Sequence, residues 1–132
     1  ERMNYSNYGY LLLGEIITKA SNMTYDEYLN KMIFSPLGMN STGYEHYKDI
    51  LSKKASGYRI ENNISVPAPC IDIEGAGAAG GLYSTPNDLM VFEKSLTGNS
   101  AIKKSILDIA FTPFKLNNGQ TSSYGYEKAI CE

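Results

Sequence analysis

Tyr5-Ser6-Asn7 places a phenol and a carboxamide two positions apart, directly before the apolar run Tyr8-Gly9-Tyr10-Leu11-Leu12-Leu13-Gly14-Glu15-Ile16-Ile17. An unperturbed phenol titrates near pH ~10, so it shuttles protons at neutral pH only where cations hold its oxygen beside a reacting hydroxyl. The Asn7 carboxamide offers both a donor and an acceptor, which suits a substrate that itself bears an amide. Taken alone, the triplet reads first as a core tyrosine beside a helix-capping asparagine.

Other patterns imitate chemistry and fail on context. Gly75-Ala76-Gly77-Ala78-Ala79-Gly80 spells the dinucleotide fingerprint, but that motif needs its third glycine in a helix facing the pyrophosphate. Here the next helix opens only at Thr85, and the segment reads as a flexible loop or substrate rim. Ser100-Ala101-Ile102-Lys103 has S-x-x-K spacing, in which a lysine one helical turn away helps activate a serine. It lies in a polar stretch that reads as a helix cap followed by solvated lysines. Thr112-Pro113-Phe114-Lys115 has the same spacing, spoiled by proline. His46, among Glu45, Tyr47 and Lys48, reads as an exposed surface histidine with no catalytic part. Cys70 and Cys131 have no second cysteine or histidine at ligand spacing, which argues against a structural zinc site. No cofactor and no metal is expected.

The elements that must position the triplet follow from pattern. Apolar residues Tyr8, Leu11, Leu12, Ile16 and Ala20 return to one side of a helix from about Asn7 to Ala20, and Tyr10, Leu13 and Ile17 widen the stripe. That helix is expected to be largely buried. Ser21-Asn22 ends it, and Thr24 with Glu27 forms a capping box opening a second helix through Tyr25, Tyr28, Leu29 and Met32, so the two make a helical hairpin. Ser35-Pro36-Leu37-Gly38 halts the second helix. One or two helical turns are expected over Asp49 to Lys54. Gly57 to Ile60 and Ile64 to Val66 then read as a hairpin around Glu61-Asn62-Asn63. Pro67 and Pro69 begin a long glycine-rich loop that runs to Gly81, too rich in glycine for a helix. Thr85-Pro86-Asn87-Asp88 opens a third helix through Leu89, Phe92 and Leu96, stopped by Gly98. A fourth helix is expected over Ala101 to Phe111, and Tyr124-Gly125-Tyr126 starts a strand.

At 132 residues and 42% hydrophobic the chain is the size of one domain able to bury a core. Its net charge of -2, with both signs scattered, provides no basic stripe and argues against nucleic acid. No apolar run reaches the roughly 18 residues needed to cross a bilayer as a helix.

Four blocks in this order, Tyr5 to Ile17, Tyr28-Leu29, Ile33-Phe34-Ser35-Pro36-Leu37-Gly38-Met39-Asn40-Ser41-Thr42, and Gly77-Ala78-Ala79-Gly80-Gly81-Leu82-Tyr83-Ser84-Thr85-Pro86-Asn87-Asp88-Leu89, give the sequence its resemblance. It resembles the class C β-lactamase and penicillin-binding-protein-like serine hydrolases from residue 1 to about Tyr126. The family is similar in using S-x-x-K, Y-x-N and a late K-T-G or H-x-G strand motif, of which only Y-x-N is matched here. The resemblance implies a catalytic Tyr5 acting as general base and acid, with Asn7 binding and orienting the substrate; Ser6 has no role. It further implies an acyl-enzyme mechanism on a small-molecule amide or ester, such as a β-lactam or D-amino peptide, and an extracytoplasmic setting. By family order the S-x-x-K part is expected to precede Glu1 and the K-T-G-type sheet to follow Glu132, so Ser100 is not expected to fill the nucleophile's place. The expected fold is mainly α: the helical subdomain portion of the β-lactamase/transpeptidase-like α/β fold, a single partial domain over residues 1–132, with a small β-hairpin and a truncated C-terminal strand. Lacking the nucleophile, this chain by itself is expected to be inactive. Its first and last helices are expected to keep uncovered faces that favour self-association. A non-catalytic binding or structural module on the same scaffold is the alternative reading.

Overall fold

A computed structural model describes residues 4–69, 71, 73–97 and 102–122. Helix α1 runs Asn7–Ser21 and ends at Asn22, whose N–H still bonds to the Thr18 carbonyl while its left-handed φ of 55° turns the chain out of the helix. Helix α2, Tyr25–Leu29, opens on the capping box that the sequence announces: the Thr24 N–H donates to Glu27 Oε2 at 2.9 Å, and Thr24 Oγ1 accepts the Glu27 N–H at 3.4 Å.

Pro36 does not stop α2 at once. The helix widens into a π segment, Asn30–Phe34, and continues as α3, Ser35–Leu37. The Ser35 N–H reaches five residues back to the Asn30 carbonyl, and the Ser35 hydroxyl donates to Asn30 Oδ1 at 2.7 Å. Widening just before the proline relieves the clash its ring would make with a carbonyl four positions back. The end comes two residues later. Gly38 takes φ 73°, its N–H bonds to the Ser35 carbonyl at 3.1 Å, and the Met39 N–H bonds to that of Phe34 at 2.9 Å. This is a Schellman stop, and the Phe34–Met39 contact that accompanies such a stop is also the core: Leu29, Phe34 and Met39 are buried, with Tyr25, Ile33, Leu37 and Phe92 packed around them.

Among the described residues, four short strands form two antiparallel ribbons. In β2 (Tyr58–Glu61) and β3 (Ile64–Pro67), Glu61 pairs with Ile64, so the turn is Asn62-Asn63 alone. Both asparagines have positive φ, 49° and 62°, the signature of a two-residue hairpin turn whose twist matches its strands. The other ribbon was not legible as strand: β1 (Gly43–Tyr44) pairs with β4 (Leu82–Tyr83) across some forty positions of chain.

Three expectations need correction. Asp49 to Lys54 forms turns and no helix, because His46 and Asp49 close on each other (His46 N–H to Asp49 Oδ2, 3.3 Å; Asp49 N–H to the His46 carbonyl, 3.0 Å) and Lys53 is left-handed. The glycine-rich stretch is not a plain loop, since Glu74–Ala79 winds into a 3-10 segment kinked at Gly77. Helix α1 is not largely buried: among the described residues only α2 and the 3-10 segment pack on it closely, Gly14 alone is buried, and Tyr8, Leu12, Leu13 and Ile16 are exposed.

Helix α4, Pro86–Thr97, opens as expected, with Thr85 Oγ1 accepting the Asp88 N–H at 3.3 Å. Helix α5 is shorter than expected, Lys104–Ala110, with Ile106 and Ile109 exposed. Gly98, Cys70, Cys131 and the strand expected at Tyr124-Gly125-Tyr126 lie outside the described residues. No helix among the described residues is long and apolar enough to cross a membrane.

Candidate active-site face

Ser6 is the N-cap of α1, with extended backbone (φ -147°, ψ 110°) and no capping bond from its side chain. Asn7 is therefore the first residue of the helix, and Tyr5 stands one residue before the cap. Both are exposed, Tyr5 by 60%. The change from extended to helical backbone at Ser6 holds the phenol and the carboxamide at one end of a rigid element. The capping position belongs to Ser6 and not to Asn7, which leaves the Asn7 side chain free of the structural task that its residue type suggested.

What braces this helix is the glycine-rich segment. A Cβ on Gly14 would lie 2.5 Å from that of Ala78, and one on Gly77 would run into the Leu11 side chain; Gly77 also sits at φ 50°. Each glycine thus permits an approach that alanine would forbid. Leu11 is one helical turn beyond Asn7, so the segment seats on the turn next to the tyrosine–asparagine pair.

The segment is in turn fixed to the β1–β4 ribbon by reciprocal contacts. The Tyr83 ring covers Gly43, whose Cβ would meet the hydroxyl at 2.7 Å, and the Tyr44 ring covers Gly81 at 2.6 Å. The Tyr44 hydroxyl donates to the Glu74 carbonyl at 3.1 Å, and the Glu45 N–H to the Gly81 carbonyl at 2.8 Å. Behind the ribbon lies a buried polar latch. Asp88 Oδ2 accepts the Ser41 N–H at 2.8 Å and the Thr42 hydroxyl at 2.7 Å, while Thr42 Oγ1 also meets Ser84 Oγ at 2.7 Å. Sequence reading gave Asp88 only the part of an acid in a first helical turn; nothing local shows that it also reaches residues more than forty positions away.

Sequence reading also missed the company His46 keeps. The side chain is 41% exposed, yet Nε2 lies 3.3 Å from Asp26 Oδ2 on α2 and Nδ1 lies 3.7 Å from Glu74 Oε1 on the 3-10 segment. Its ring tilts against Tyr44 with centroids 5.1 Å apart, and Tyr44 meets Tyr25 edge-on at 6.2 Å. The hydrogen bond and charge of Asp26, helped by Asp49 and Glu74, raise the His46 pKa above its ordinary value. Burial pushes Asp26 upward, but hydrogen bonds from Thr24, His46 and the Glu27 backbone outweigh it and the carboxyl stays below its usual range. A pocket of about 600 Å³ opens beside this group, lined by residues that include Asp26, Tyr44, His46 and Tyr83.

Among the expected residues, Tyr5 and Asn7 stand two positions apart at the start of α1, both exposed. Lys103 of the S-x-x-K spacing caps α5 with no side-chain capping bond, and Ser100 lies outside the described residues. The described residues hold no group of three potential metal ligands.

In class, this arrangement is the helical subdomain of a β-lactamase-like fold. It superposes on the octameric penicillin-binding protein homologue from Pyrococcus abyssi with a TM-score of 0.76 and 34% identity, covering 96% of this chain and 29% of that one. It also superposes on the D-amino acid amidase from Ochrobactrum anthropi SV3 with a TM-score of 0.75 and 29% identity, covering 86% of this chain and 34% of that one. Residues 1–127 match the family described as Beta-lactamase, and the chain belongs to that family. Penicillin-binding protein 4* of Bacillus subtilis is 32% identical over 92% of the chain. The chain spans 30% of the length of that relative.

Proposed function

We propose that this chain supplies the tyrosine–asparagine side of the active site of a serine hydrolase that cleaves an amide or ester through an acyl-enzyme. The observation that carries the proposal is the exposure of Tyr5 and Asn7 together at the rigid start of α1, in a chain of the β-lactamase family. In this reading Tyr5 passes a proton between the nucleophilic serine and the leaving group, and the Asn7 carboxamide holds the substrate's amide. The names of the relatives, a penicillin-binding protein and a D-amino acid amidase, support a β-lactam or D-amino amide as substrate class. The serine and its lysine come from outside the chain, so the chain alone carries out no acylation.

In a full-length protein bearing the S-x-x-K serine, Tyr5→Phe is expected to slow acylation by a labelled penicillin or fluorophosphonate by about 100-fold or more. Circular dichroism of the variant should be unchanged. A rate equal to that of the parent sinks the role given to Tyr5.

The exposed apolar face of α1, with Tyr8, Leu12 and Ile16, supports a second reading, a non-catalytic module that associates with itself through that face. Sedimentation of the chain tests this second reading, which requires a concentration-dependent dimer that Leu12→Ser disperses and fails if the chain stays monomeric.

A further inference from the structure

The sequence contains one histidine, and it stands where three elements meet. Asp26 approaches its Nε2 from α2, Glu74 approaches its Nδ1 from the 3-10 segment, and Tyr44 of β1 lies against its ring. The other charged groups around it are Asp49 and Glu45 from its own loop, Glu27 and Lys31 across the pocket, and Lys54, which Glu45 engages. Carboxylates dominate this surround, and the two nearest belong to different elements.

We propose that His46 is a positioning residue that ties the glycine-rich segment to α2, so that the seat of the segment beside Tyr5 and Asn7 is held while the imidazole is protonated. The physical reason is a count of donors. An imidazolium has two N–H groups and can serve both carboxylates, whereas neutral imidazole has one. The Asp26 contact is the shorter, at 3.3 Å against 3.7 Å for Glu74, so deprotonation releases the Glu74 arm first. Glu74 is the first residue of the 3-10 segment, and its Oε2 also accepts the Tyr47 N–H at 3.4 Å. Loosening Glu74 therefore acts on the segment whose Gly77 and Ala78 seat against Leu11 and Gly14.

The sign follows from the direction of the shift. Asp26 and its neighbours raise the folded-state pKa of His46 above 6.5, so the tie is fully present below that value and is lost as pH rises through the raised one. The tie itself does not depend on the hydrolase reading; only its consequence for substrate does.

The test is a pH titration of the isotopically labelled protein by NMR, following the His46 ring and the backbone amides of residues 74–81. The amides of the segment are expected to move in step with the His46 titration, and His46→Gln should abolish that common transition. Glu74→Gln should lower the midpoint of His46 and uncouple the segment while leaving the Asp26 contact in place, which keeps the test valid if His46→Gln misfolds. Segment amides that stay still while His46 titrates, or a midpoint untouched by Glu74→Gln, overturn the proposal. In an active full-length enzyme the same variants should alter the pH dependence of kcat/KM, since the segment seats beside both Tyr5 and Asn7. Absence of acylation at every pH would count against the hydrolase reading alone, since the NMR outcome does not need it.

Discussion

Two regions of this molecule use the same kinds of residue to opposite ends. The region built from α2, the π segment, α3 and the start of α4 closes on itself: Leu29, Phe34 and Met39 are buried, and the Asp88 carboxylate satisfies donors from Ser41 and Thr42 without leaving a buried polar atom unpaired. Helix α1 is longer and richer in apolar side chains, yet of its fifteen residues only Gly14 is buried. Burial follows from what packs opposite an apolar stripe, and apolar content alone does not supply it. The region with partners carries the stability. The other carries the residues proposed to do chemistry, and it is held by glycines that let the Ala78 and Leu11 side chains approach their backbone.

If that division is right, the costs of substitution should fall in a set order. Phe34→Ala should be the most damaging, at about 3–4 kcal/mol by urea denaturation, since it removes a buried ring and leaves a cavity in a very small core. Asp88→Ala should come next at roughly 2–3 kcal/mol, because the Ser41 N–H and the Thr42 hydroxyl lose their acceptor in a buried setting. Leu12→Ala on α1 should cost about 0.5 kcal/mol or less, since the side chain is already 65% exposed. A Leu12→Ala cost comparable to that of Phe34→Ala would break the comparison, and it would mean that the face of α1 is covered in solution.

Sequence reading succeeded where the cause is local. The capping box at Thr24 and Glu27, the N-cap at Thr85 and the hairpin around Asn62-Asn63 each depend on neighbours within three or four positions. Pro36 was legible as a disturbance but not as a π widening, because the outcome depends on whether the helix beyond it has a core to reach, and here Leu37 and Met39 do. The missing helix at Asp49 to Lys54 shows the converse, where weak local preference yields to turn chemistry.

For the candidate site, the sequence determined the neighbours Tyr5 and Asn7, their place at the start of a helix, and the order of blocks that identifies the family. All of these are written in consecutive residues. Tertiary structure alone decided the rest. It brought Gly77 and Ala78 onto Leu11 and Gly14, paired β1 with β4, turned Asp88 from a first-turn acid into a latch, and placed Asp26 and Glu74 on either side of His46. The reason is range: a hydrogen bond or a steric fit between residues 20 to 66 positions apart leaves no periodic trace in either segment.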